Sequence, residues 1–203
     1  MSPVPRLSGA ARREQLLDVA LALFAERGYH ATSISDIIGK ANVARGTFYN
    51  HFRSKRQIFA QLLDRLFEQV NASATPILPN LGGGVAVQLR ANIESICRTL
   101  QDNLPMARVL LEQAVGLDEG GREQLKGFYM RVLTRLERAV FVGQQLGIIR
   151  AGDPSLLTIC TLAMIKETLY QNIIGTRSLP LDKVVTEIFA FMQHGILLGA
   201  ASA

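Results

Sequence analysis

The chain has 203 residues, 48% hydrophobic and 19% charged, with a formal net charge of +5. That length suits one large domain, or a small domain joined to a medium one, and that balance excludes a disordered or low-complexity chain. Two cysteines, Cys97 and Cys160, without CxxC spacing argue against a disulfide scaffold or a zinc site and fit a reducing cytoplasm.

Residues 1–60 hold nine Lys/Arg and four acids, so the whole excess of +5 lies in the first third, and the remaining 13 basic and 13 acidic residues cancel. A basic module joined to a neutral one points to a polyanion partner at one end, with a solvated basic face as the plainer alternative. Met1 to Arg13 has no apolar core of a secretory leader, and these first residues are expected to form a flexible arm. The most apolar run, Leu156 to Ile165, stops at Lys166 and Glu167, well short of the roughly 18–20 residues of a membrane span. The expected location is the cytoplasm, with no membrane partner.

Helical periodicity dominates, and no segment alternates like a strand. Leu16, Ala20, Leu23 and Phe24 form a stripe that ends at Gly28, a helix-terminating residue. Ile34, Ile37, Ile38 and Ala41 fit the next helical stripe, and Ser33 with Asp36 gives it a capping box. A short third helix is expected over Arg45–Asn50, and a fourth from Ser54, capped through Gln57, to about Asn71. Thr75 to Gly84 is a Pro/Gly-rich breaker. Beyond it, Leu89, Ile93, Ile96, Cys97, Leu100 and Leu104 share a face, as do Leu125, Phe128, Val132, Leu136, Ala139 and Val140, whose helix carries Arg131, Arg135 and Arg138 on a solvated side. Asp153-Pro154 opens a helix running to about Gly175, and Pro180 precedes a last one to about Gly199.

The chemistry concentrates between Ala31 and Lys55. The third helix is too short to be stable alone, so Phe48 and Phe52 must anchor it to its neighbours. Its other face carries Arg45, Thr47, Tyr49, Asn50 and His51, groups that donate to phosphates or read base edges. Gly46 lacks a side chain where another surface must come close. Arg53, Lys55 and Arg56 gather at the start of the fourth helix, where free backbone N–H groups attract anions. Thr32 and Ser33, at the entry to the second helix, complete the candidate DNA-binding set. This is the arrangement of a helix-turn-helix.

The run Phe24-Ala-Glu-Arg-Gly28-Tyr29, then Thr32-Ser-Ile34, then Asn42-Val43-Ala44-Arg45-Gly46-Thr47-Phe48-Tyr49-Asn50-His51-Phe52, then Ser54-Lys55, resembles the signature of the TetR/AcrR regulators over about residues 12–60. The resemblance implies an all-α fold: an N-terminal three-helix DNA-binding domain over 1–55, and a C-terminal helical ligand-binding and dimerisation bundle over 56–203. It implies that Arg45 reads a base, and that Thr47, Tyr49, His51 and Lys55 contact phosphates. It departs from the family pattern in three places: Asn42 stands for the usual turn glycine, Ala44 for the usual Ser/Thr cap, and Arg56 for the usual acid.

The implied partners are a palindromic duplex operator, a second copy of the chain and an unidentified apolar or amphipathic effector. Cavity walls are expected from Ile93, Cys97, Leu100, Phe128, Thr161 and Met164, and the seam between two copies from Leu162, Leu169, Ile188, Phe191 and Ile196. Lys166 and Glu167 could pair across that seam, line the cavity or face water. No cofactor or metal is expected, and His30 and His194 have no ligand spacing. A catalytic reading lacks a nucleophile–base pair, a phosphate loop ending in GK[ST] and clustered acids, so no enzymatic activity is expected. A membrane- or protein-docking helical module would need a basic amphipathic helix with an exposed apolar face.

Overall fold

A computed structural model describes residues 7–80, 83–112, 117–173, 175 and 178–198. Within them the chain is helical: α1 (Gly9–Arg27), α2 (Ile34–Ala41), α3 (Arg45–His51), α4 (Lys55–Ser73), α5 (Gly84–Asp102), α6 (Leu104–Glu112), α7 (Glu119–Gln145), α8 (Pro154–Ile173) and α9 (Leu181–Gly195). Extended pairing among the described residues is confined to one antiparallel bridge, Ile149 with Leu197. The expected arm lies outside the described residues as far as residue 6, as does Gly199, the expected end of the last helix. Among the described residues, no helix is long and apolar enough to cross a membrane.

The helix ends follow the local signals. Ser8 caps α1, which stops at Gly28 with φ 91°, a conformation only glycine adopts without strain. The Ser33–Asp36 capping box is present in full. Asn42 ends α2 in the left-handed region, φ 50° and ψ 53°, as the turn requires. Ser54 accepts from the Gln57 backbone N–H, while the Gln57 side chain reaches one residue further back, to the Arg53 N–H. Asp153 accepts from the Leu156 N–H at the start of α8. One helix was unforeseen: α6 begins at Leu104, which stands 40% exposed at its start instead of extending the face of α5.

The chain forms two compact units. The first comprises residues 1–66 and 105–126, the second 67–104 and 127–203. The first unit takes in residues 56–66, where the first half of α4 buries Ile58, Phe59, Leu62, Leu63 and Leu66. In the first unit an aromatic core joins Phe24, Tyr29 and Phe59, with Tyr29 and Phe59 centroids 4.9 Å apart. Arg65 ties α4 to Glu14 and Asp18 of α1 at the surface.

In the second unit, α5, α8 and α9 enclose Ile93, Cys97, Leu169, Val184, Val185, Ile188 and Met192, with Leu100, Met164 and Ile196 packed at the margin. Two residues expected in a seam between copies are therefore core residues: Leu169 is 3% exposed and Ile188 2%. Both belong to the core cluster in which α9 packs against α5 and α8. Leu162 is half-buried, and Phe191 alone of that set is strongly exposed, at 73%. Leu156 and Ile159 of α8 are also exposed. Ile93, Cys97, Leu100 and Met164 come together, whereas Phe128 is buried against Phe67 and Tyr129, and the Thr161 hydroxyl donates to the Leu157 carbonyl. Arg131 stacks over Phe67 and Arg135 donates to the Asn71 and Ala74 carbonyls, so two of the three solvent-side arginines also hold the end of α4. Lys166 and Glu167 are exposed, with the Lys166 ammonium 5.9 Å from the Tyr129 ring centre and Glu167 accepting from Gln171.

Candidate nucleic-acid interface

Seven residues make α3, too few for independent stability. Tertiary contacts hold it. Phe48 and Phe52 are both 0% exposed, and their ring centres are 6.1 Å apart. Arg13 of α1 lies 4.9 Å over the Phe52 ring and donates to the His51 carbonyl at the end of α3. From the same helix, Gln15 donates to the Ala41 carbonyl at the end of α2. Two orphan carbonyls are thereby satisfied from α1, which orients both helices of the motif. Arg13 and Gln15 escaped the sequence reading, because their partners lie 38 and 26 residues away and no local pattern marks them.

With its aromatic side anchored, α3 presents Arg45, Gly46, Tyr49 and Asn50 as exposed residues, with Thr47 and His51 half-buried. Arg45 and Asn50 have no side-chain partner among the described residues, so their donors remain available. The Tyr49 ring meets the Phe48 ring edge-on at 5.4 Å while 46% of the residue is exposed. Nothing lies within 4 Å of the place a Gly46 side chain would take, so the room there is open to an external surface. Ala44 caps α3 with extended backbone and no side-chain hydrogen bond. One donor of its first turn therefore lacks the partner a Ser or Thr would supply. Ser33 is exposed, but its hydroxyl and N–H both donate to Asp36, whose carboxyl is held below its usual range by those bonds.

Two expected contacts are placed differently. Thr32 is 1% exposed, and its hydroxyl donates to the Leu23 and Gly28 carbonyls. Its side chain ties down the end of α1 and does not reach the surface. Lys55 turns its ammonium inward, to the carbonyls of Tyr29 at 2.6 Å, Thr32 at 2.8 Å and His30 at 3.3 Å. Beside it, Tyr29, Ser54, Lys55, Arg56, Asp118 and Gly120 line a cleft of about 320 Å³ within the first unit. Burial, reinforced by Asp118, pushes the Tyr29 hydroxyl up to about 12. Arg56 lies against Gly120, where a side chain would come within 2.7 Å of it.

Residues 16–62 match the family described as bacterial regulatory proteins, tetR family, which is the stretch just described. A repressor from Mycobacterium sp. (strain GP1), DhaR, is 25% identical over 178 residues, 87% of this chain and 90% of that one. The repressor KstR2 of Mycolicibacterium smegmatis is 38% identical over 90 residues, 41% of this chain and 44% of that one. Among solved structures, one described as a TetR-family transcriptional regulator from Syntrophomonas wolfei superposes with a TM-score of 0.80 at 24% identity, covering 92% of this chain and 95% of that one. Over residues 16–62 the chain thus carries the DNA-binding module of the tetR family of bacterial regulatory proteins, and along most of its length it is similar to a repressor of transcription.

Proposed function

We propose that the chain is a ligand-released repressor that acts as a symmetric homodimer on a palindromic operator. The observation that carries this is the split character of α3: two buried phenylalanines on one side, and unpartnered Arg45 and Asn50 on the other. Arg45 heads the helix and is assigned to a base edge, guanine offering two major-groove acceptors. Thr47, Tyr49, Asn50 and His51 flank it as phosphate contacts, and the open space at Gly46 lets the sugar-phosphate surface approach. The seam between copies is assigned to the exposed apolar residues Leu156, Ile159 and Phe191, and no longer to Leu169 and Ile188. An isologous contact of this kind presents two reading heads related by a two-fold axis, which a palindrome matches.

The second unit is the place for the effector. Its apolar helix faces around Ile93, Cys97, Leu100 and Met164 favour an apolar or amphipathic molecule. The effector lowers operator affinity only by the difference in its own affinity for the two conformations, on the order of 1–3 kcal/mol.

The test is selection from a randomised duplex library. The wild-type chain should recover an inverted repeat. Arg45→Ala should lose preference at one base pair per half-site, at a cost of about 1–3 kcal/mol there. An Arg45→Ala variant with unchanged preference at every position would overturn the assignment.

A further inference from the structure

The ammonium of Lys55 has three N–H donors, and three backbone carbonyls converge on it. All three belong to the six-residue connection 28–33 between α1 and α2. A fourth side is closed by the Tyr29 ring, whose centre is 4.3 Å away and which is itself 1% exposed. No carboxylate pairs with this ammonium among the described residues. A DNA phosphate could reach it only by displacing one of these carbonyls. Loose surface lysines that neutralise phosphates have no such cage.

We infer that Lys55 is a positioning residue for operator recognition: it clamps the α1–α2 connection and so sets where α2 and α3 stand, instead of contacting a phosphate. This rests on the reading of α3 as the DNA-reading helix. The mechanism is local. The connection leaves α1 at Gly28, must turn through Tyr29 and His30, and must deliver Ser33 in the extended conformation its capping box needs. Its carbonyls at 29, 30 and 32 point the same way, and their mutual repulsion is relieved by one cation, as at a helix C-terminus. Burial of that cation draws its proton affinity below the ordinary lysine range. Thr32 acts beside it, with its hydroxyl on Leu23 and Gly28 and its carbonyl on Lys55.

The experiment compares Lys55→Met and Lys55→Arg with the wild-type full-length chain. In the absence of DNA, both variants should lower the thermal midpoint by about 4 °C or more and speed amide exchange at Ser33 and Asp36. Arginine keeps the charge, but its planar fork cannot place three N–H groups on three converging carbonyls. The DNA arm uses the tightest duplex that the wild-type chain recovers from a randomised library. Affinity should fall for both variants, while the slope of log affinity against log salt stays at the wild-type value. A phosphate-contacting lysine behaves oppositely. Lys55→Met would then keep the wild-type midpoint and lose about 0.9 of slope per protomer, and Lys55→Arg would bind like wild type. Those results would overturn the inference. A variant too unstable to isolate supports it, because a surface phosphate ligand is dispensable for folding. Should the wild-type chain recover no duplex, the function proposed above fails, while the midpoint and exchange arms still decide the clamp.

Discussion

Phe191 and Ile188 lie three positions apart on α9 and should fail in different ways when truncated. Phe191 is 73% exposed in the single chain, and Ile188 is 2% exposed against Ile93, Cys97 and Leu169. Full burial of a large apolar side chain stabilises by about 1.5–3 kcal/mol. The three-quarters of Phe191 still available for burial corresponds to about 1–2 kcal/mol per copy, or about 2–4 kcal/mol per symmetric dimer. Phe191→Ala should therefore raise the dimer dissociation constant roughly 30- to 1000-fold, since each 1.4 kcal/mol is about a factor of ten. The fold of each copy should be almost untouched. Ile188→Ala removes core atoms instead, and should cost about 2–5 kcal/mol of folding free energy. Sedimentation equilibrium over a dilution series reads the first quantity, and urea unfolding of the Phe191→Ala background reads the second. An Ile188→Ala chain that dissociated with its unfolding free energy intact would refute the assignment of these two faces. So would a Phe191→Ala dimer as tight as wild type.

Further outcomes are expected from the caps, the core and the cysteines. Ala44→Ser should supply the missing cap of α3 and add about 0.5–2 kcal/mol of stability, measured by denaturant unfolding. Thr158→Val should be neutral or stabilising by up to roughly 1–3 kcal/mol in the ligand-free chain, because the buried Thr158 hydroxyl has no hydrogen-bond partner among the described residues and valine keeps its shape. Burial pushes the Cys97 thiol up to about 11, so it should resist a chromogenic disulfide reagent at pH 8 until the chain unfolds. Its contribution to stability is complete below the ordinary thiol range near 8.5, and is lost as pH rises through about 11. Cys160, exposed beside Ile159, should react faster in Phe191→Ala than in wild type if α8 faces a second copy.

What the sequence determined by itself is what depends on neighbours within about four residues. The Ser33–Asp36 box, the left-handed Asn42, the stop at Gly28 and the Asp153-Pro154 start are local hydrogen bonds and local backbone preferences, legible from residue type and spacing. The split of α3 into a buried aromatic side and an exposed polar side was legible for the same reason. Three kinds of feature were left to tertiary structure. Which apolar face turns inward on α8 and α9 is one, since both helices are apolar on more than one side and periodicity cannot say that Ile188 meets α5 while Phe191 meets none. The extent of the first unit is another, because nothing local marks Leu66 or residues 105–126 as its members. The third is the direction of long polar side chains. Lys55 and Thr32 looked like surface contacts, yet their partners are backbone carbonyls 23–26 and 4–9 residues away. A flexible stem can reach either solvent or an unsatisfied carbonyl. Only the folded chain shows which carbonyls lack a donor, and the cost of leaving them unpaired turns the lysine inward.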